Sequence, residues 1–149
     1  MNNLPKLQDF PAQDYDKLRY SDMDTQGHIN NAVFTTLFET GRASLLGQPS
    51  INAWNNQQYA YVLARLEVDY HAELRWPGIV HVGTAVKSIG RTSLVLAQSL
   101  FKDDTCVASA LNVMVQIGKT SHRPEPFTDE IRAVLSSLML KNGSQQPSE

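Results

Sequence analysis

Hydrophobic positions change their period twice along the chain. Between Ala32 and Gly47 they follow a helical rule: Phe34, Leu37, Phe38 and Leu45 share one face, Gly41 leaves a gap in it, and Val33 and Leu46 widen the stripe. The predicted helix ends at Gly47, ahead of Pro49. From Ala60 the period becomes two, with Ala60, Val62, Ala64, Leu66, Val68 and Tyr70 alternating with Tyr61, Leu63, Arg65, Glu67, Asp69 and His71, the pattern of a long strand with one more polar face. Further strands are predicted over Ile79 to Ile89, Thr92 to Phe101 and Cys106 to Ile117. Their separators are Trp76-Pro77-Gly78, Gly90-Arg91 and the polar hairpin Lys102-Asp103-Asp104-Thr105. Helical spacing returns after Thr128, a natural N-cap, with Ile131, Val134, Leu135, Leu138 and Met139 on one face through Leu140.

These elements predict a single α+β domain across residues 1–149, with a core of about 15–140 and the first helix packed on an antiparallel sheet. Tyr15 to Tyr20 reads as a short first strand, and the four later strands as an antiparallel meander. Residues 1–14 read as an irregular arm and 141–149 as a frayed tail. A sheet curled around one helix leaves edges unpaired, so a homodimer formed by edge pairing is expected.

Composition removes several classes of function. The formal charge of −2 with 19% charged residues predicts neither a nucleic-acid partner nor a polybasic membrane anchor. Cys106 is the single cysteine, which excludes an intrachain disulfide framework. The chain shows no basic-then-apolar leader and no apolar run of membrane-spanning length, and a cytoplasmic protein is expected.

Chemistry concentrates just before the first helix. The run Asp22-Met23-Asp24-Thr25-Gln26-Gly27-His28-Ile29-Asn30-Asn31 sets two carboxylates, an imidazole and two carboxamides around one glycine. Asn30 or Asn31 can cap the helix, and the free amides of its first turn favour negative charge. Such a place can stabilise a developing oxyanion. Asp24 can also be a turn carboxylate satisfying local amides, Asp22 a structural partner of the loop or of Arg19, and His28 a packing group. A calcium loop is excluded because Val33 occupies the twelfth position, where a bidentate Glu belongs. The spacing of His28, His71, His81 and His122 suggests no zinc site, and Ser44 lacks a G-x-S-x-G frame.

The same run, followed by Phe34 and by Phe38-Glu39-Thr40-Gly41-Arg42, resembles the hotdog-fold thioesterases of the 4-hydroxybenzoyl-CoA thioesterase-like group, in the branch written D-x-D-x-x-G-H-V-N-N. The likeness continues through Leu66-Glu67-Val68-Asp69-Tyr70 and Ile89-Gly90-Arg91-Thr92-Ser93. It implies a hotdog fold, in which an antiparallel sheet wraps a long central helix, here with an added C-terminal helix. It further implies hydrolysis of acyl-CoA, with Asp24 as nucleophile or general base and a backbone amide near Asn31 polarising the thioester carbonyl. A homodimer or dimer of dimers with interfacial sites is implied, and coenzyme A is then part of the substrate, with no cofactor or metal. His28 joins the catalytic candidates. Asn30, Phe34, Arg91, Thr92 and Ser93 are the substrate-binding candidates, the arginine as a partner for phosphates. Lys87 and Arg123 are further candidates of that kind, and Glu73 a candidate for positioning water. Phe34 stands where the family often has tyrosine, which removes a hydroxyl. An acyl-carrier-protein thioesterase and a non-catalytic acyl-CoA-binding module remain open alternatives.

Overall fold

The computed structural model describes residues 3–141. Strand β1 (Ala12–Lys17) is followed by helix α1 (Asn31–Leu46), strands β2 (Tyr59–Tyr70), β3 (Ile79–Ile89), β4 (Ser93–Lys102) and β5 (Thr105–Gly118), and helix α2 (Asp129–Ser136). The five strands form one antiparallel sheet in the order β1-β3-β4-β5-β2. This is the hotdog arrangement expected, but its connectivity differs from a simple meander. Only β3, β4 and β5 follow one another; β2 pairs with β5 at one edge, and the chain then crosses to β3 near the other.

Helix α1 lies on the sheet because its stripe has nowhere else to bury. Phe34, Leu37, Phe38, Gly41, Arg42, Leu45 and Leu46 are all covered. Gly41 is required by close approach, since a Cβ there would stand 2.6 Å from Val82 and 2.7 Å from both Thr84 and Gln98. Beside this contact runs a buried polar chain. Gln98 Nε2 donates to the Phe38 carbonyl and to Thr84, each at 2.9 Å, and its Oε1 accepts from Asn112 Nδ2 at 2.8 Å. Asn112 Oδ1 in turn accepts from Arg42 Nη1 at 2.8 Å. Every member is bonded, so the low dielectric of the core strengthens the chain.

Three further sequence expectations need correction. The strand predicted over Tyr15 to Tyr20 begins earlier, at Ala12, and residues 3–11 are anchored: Leu7–Asp9 form a 3-10 turn, and Phe10 is buried edge-on against Phe101 at 6.2 Å. In β2 a bulge between Leu63 and Arg65 shifts the alternation, so Tyr61 and Leu63 point inward before it and Leu66 and Val68 after it. Helix α2 stops at Ser136, short of Leu140, because the following residues join the sheet. The Leu138 carbonyl accepts from Val86 at 2.7 Å, and Met139 bridges Val86 beyond the reach of β1. Of the predicted tail, residues 142–149 lie outside those described.

Candidate active site

The loop before α1 closes on itself through Asp24. Its backbone amide donates to the His28 carbonyl at 2.7 Å, and its Oδ1 accepts from the amides of Gln26 at 2.9 Å and His28 at 3.1 Å. The reversal is tight enough to need a left-handed residue, and Gly27 supplies it with φ of 78°. Nothing lies within 4 Å of where its Cβ would stand. Met23 and Ile29 bridge across the base of the loop. Asp24 therefore does what a turn carboxylate does, yet with one oxygen only; among the described residues Oδ2 has no donor, and the side chain is exposed.

Asp22 is the buried carboxylate of the pair. It accepts from the Arg19 amide at 2.8 Å and the Arg19 guanidinium at 3.2 Å, and its own carbonyl takes the Asn30 amide at 2.9 Å. The two aspartates thus divide the work. Asp22 fixes the loop from below while Asp24 faces solvent.

Asn30 is the N-cap, its Oδ1 accepting from the Ala32 amide at 2.9 Å, and its carbonyl accepts from Val33 at 2.9 Å. The amide of Asn31, the first helical residue, has no acceptor among the described residues. It remains a free donor at the positive end of the helix dipole.

The crossover from β2 to β3 passes directly over this loop. Leu74 is buried against it, its carbonyl accepting from the Ile29 amide at 2.8 Å, and Lys102 Nζ donates to the Pro77 carbonyl at 2.7 Å. The crossover brings Glu73 and Arg75 to the His28 ring. Nε2 lies 3.0 Å from Arg75 Nη2 and 3.3 Å from Glu73 Oε1, and Arg75 Nη2 also donates to Glu73 Oε2 at 3.0 Å. With its proton on Nδ1 the ring accepts from Arg75, and with its proton on Nε2 it donates to Glu73. Phe34 is buried below, and the edge-on ring of Tyr70 stands 5.0 Å from it, centroid to centroid. The Tyr70 hydroxyl reaches to 3.5 Å from the Asn31 carbonyl.

The structure therefore gathers Asp24, His28, Asn30, Asn31 and Phe34 at one end of α1. Arg91, Thr92 and Ser93 are elsewhere. They turn from β3 into β4 beside α2, where the carbonyls of Arg91 and Thr92 accept from Phe127 at 3.0 Å and Gln116 at 2.8 Å. Roughly 30 Å of β3 separates that turn from the strand end against which the loop packs. Two residues around the site escaped the sequence reading of function, Tyr70 as a hydroxyl and Arg75 as a neighbour of His28. Neither has local spacing to reveal it, because each meets the loop only through the sheet order. Among the described residues no group of three His, Cys, Asp or Glu side chains comes together as a metal cluster.

Residues 18–135 match the model of the thioesterase-like superfamily. The chain belongs to that superfamily. It is a thioester hydrolase by family, and its helix-wrapping sheet is the family's fold. The chain is similar to the acyl-CoA thioester hydrolase YbgC of Escherichia coli, 25% identical over 101 residues that cover 66% of this chain and 75% of the relative. Among solved structures it is similar to one described as a predicted thioesterase from Bacillus stearothermophilus, with 29% identity, a TM-score of 0.79, and coverage of 89% of this chain and 98% of that one. A thioesterase from Thermus thermophilus, solved with coenzyme A and Zn, shares 29% identity at a TM-score of 0.77, with 88% and 96% covered. None of the described helices is long and apolar enough to cross a membrane.

Proposed function

We propose that the chain hydrolyses acyl-CoA thioesters, with Asp24 as general base or nucleophile and the Asn31 amide as donor to the oxyanion. The observation that carries this reading is the pairing of an unpartnered Asp24 Oδ2 with an unpartnered Asn31 amide on one loop and helix start. In the base route Asp24 takes a proton from water, and the hydroxide formed attacks the thioester carbon. The oxyanion is held by Asn31 N–H, and its collapse breaks the C–S bond, the thiolate leaving with the proton from Asp24. In the nucleophile route the carboxylate attacks first, expelling the thiolate, and water then cleaves the mixed anhydride. One preorganised oxyanion donor is worth roughly 3 kcal/mol, a substantial share of the barrier reduction. In this reading His28, held between Glu73 and Arg75, serves as a second donor to the carbonyl or as an orienting group for Asp24.

The coenzyme A relative supports an acyl-CoA substrate, and in this reading coenzyme A enters and leaves as part of that substrate, with no resident cofactor or metal. Self-association completes the proposal. Strand β2 is an open edge carrying half-exposed Val62, Leu63 and Tyr70, and pairing it with a second copy lengthens the sheet. A second copy is also the route by which an Arg91-Thr92-Ser93 turn, remote within one chain, would come to substrate phosphates. Thiol release from short, medium, long-chain and aromatic acyl-CoAs tests the reading, with wild type beside Asp24→Asn. Turnover by wild type alone supports it; no turnover on any member, or full turnover by the variant, overturns it. Light scattering tests the assembly, and a monomer at micromolar concentration would overturn the shared-site part.

A further inference from the structure

The contact between His28 and Arg75 decides more than where the imidazole sits. A guanidinium has N–H donors and no acceptor, so whatever meets it at hydrogen-bond distance must accept. Arg75 Nη2 stands 3.0 Å from His28 Nε2 and 3.0 Å from Glu73 Oε2. Its two N–H bonds are thereby both used, and Nε2 is the acceptor of one of them. Glu73 makes the opposite demand of the ring, since a carboxylate needs a proton on Nε2. Its Oε1 is 3.3 Å from that nitrogen, close but not aligned for a hydrogen bond, whereas the Arg75 contact is aligned. The directed bond of Glu73 goes to Arg75, which it orients and whose charge it balances.

The tips of both side chains are exposed, Arg75 to 60%, so their placement comes from the backbone beneath. The Ile29 amide, one residue after His28, donates to the carbonyl of Leu74, one residue before Arg75. Lys102 Nζ donates to the carbonyls of Arg75 and Pro77. The crossover is thus pinned to the loop on one side and to β4 on the other, with Leu74 buried between them. We propose that Arg75 is a positioning residue that fixes the tautomer of neutral His28, keeping Nε2 bare and the proton on Nδ1. Nδ1 has no partner among the described residues and the side chain is 28% exposed, so that proton is free to reach substrate. Of the two roles open to His28 this selects the donor to the thioester carbonyl, and that half of the inference rests on the hydrolysis proposed above. A hydrogen bond from a charged donor should favour one tautomer about tenfold, the lower end of its range because the pair is exposed.

Long-range proton–nitrogen correlation spectra of histidine-labelled protein, taken at about pH 8 where imidazoles are ordinarily neutral, read the tautomer without any turnover. The His28 signals are those lost in His28→Gln. Wild type is expected to carry the proton on Nδ1. Arg75→Met removes the donors but keeps the stem, and should move the proton to Nε2, where Glu73 accepts it. Arg75→Lys, still only a donor, should keep it on Nδ1. A proton on Nε2 in wild type would overturn the proposal, as would one that stays on Nδ1 in Arg75→Met. Thiol release tests the catalytic half. Arg75→Met should lower kcat about tenfold with KM little changed, and should add no further loss in a His28→Gln background, because it acts through the imidazole. Losses that multiply, or a loss confined to KM, would overturn it and make the guanidinium a direct partner of substrate. Should wild type turn nothing over, the hydrolysis reading falls, while the tautomer, read without substrate, still upholds or overturns the role of Arg75.

Discussion

Phe34 and Tyr70 meet edge to face, their ring centroids 5.0 Å apart and their planes at 78°, and the contact joins the start of α1 to the end of β2. It also gives back, from another strand, a phenol near the helix start where Phe34 has none. Tyr70→Phe keeps the ring contact and removes the hydroxyl, so denaturant unfolding should change by less than about 1 kcal/mol. Phe34→Ala opens the core below the loop and should cost about 3–5 kcal/mol in the same measurement. A loss under about 1 kcal/mol for Phe34→Ala would show that the ring is not buried as described.

Asp24 carries two separable duties. An asparagine keeps Oδ1 as an acceptor for the amides of Gln26 and His28 but loses the ionised second oxygen. Asp24→Asn should therefore unfold near wild type while thiol release falls by about 100-fold or more. Asp24→Ala should lose turnover and also about 1–2 kcal/mol of stability.

Asp22 should behave in the opposite way. Its buried carboxylate serves Arg19 and has no free face, so Asp22→Ala should lower stability by about 1–3 kcal/mol. With the fold held by added osmolyte, its turnover should recover further than that of Asp24→Asn, as steady-state rates would show.

Tyr61 provides a pH test. Burial, assisted by Tyr59, pushes its phenol up from 10.0 to about 12. The folded state thus holds this proton more tightly than the unfolded chain does. The resulting stability is complete below pH 10 and is lost as pH rises through the folded value near 12. Tyr61→Phe should be less stable than wild type at pH 9, because Gln116 Oε1 loses its donor. The gap between the two should narrow between about pH 10 and 12, as paired denaturation curves would show.

Much of this architecture is legible along the chain, and the exceptions share a cause. The α1 stripe, the gap at Gly41, the Asn30 cap and the bounds of β3 follow from local periodicity and capping, which one stretch of sequence contains in full. The bulge in β2 escapes because an extra residue inverts the alternation without any change of composition. The strand order escapes because nothing in the short segment after Tyr70 distinguishes a hairpin from a crossing. The site inherits both limits. Asp24, His28 and Asn31 lie together in the sequence, whereas Arg75 comes to His28 only because β3 lies far across the sheet from β2. Arg42, on α1 itself, hides for a further reason: its stripe position belongs to the core, and only the packed neighbours show that its guanidinium ends a buried polar chain through Asn112.

Gly27 selects for handedness rather than for size. Its backbone lies on the side of conformational space that L-residues avoid, while the volume where a methyl would go is empty. An L-alanine there should cost about 1–2 kcal/mol, with no clash to blame. A D-alanine, introduced by chemical ligation, would hold this torsion as its preferred one, and should stiffen the unfolded chain to give about 0.4–1 kcal/mol of added stability. The stereochemistry of one α-carbon thus becomes an adjustable parameter for the rigidity of the Asp24 turn, set without changing any other residue of the loop.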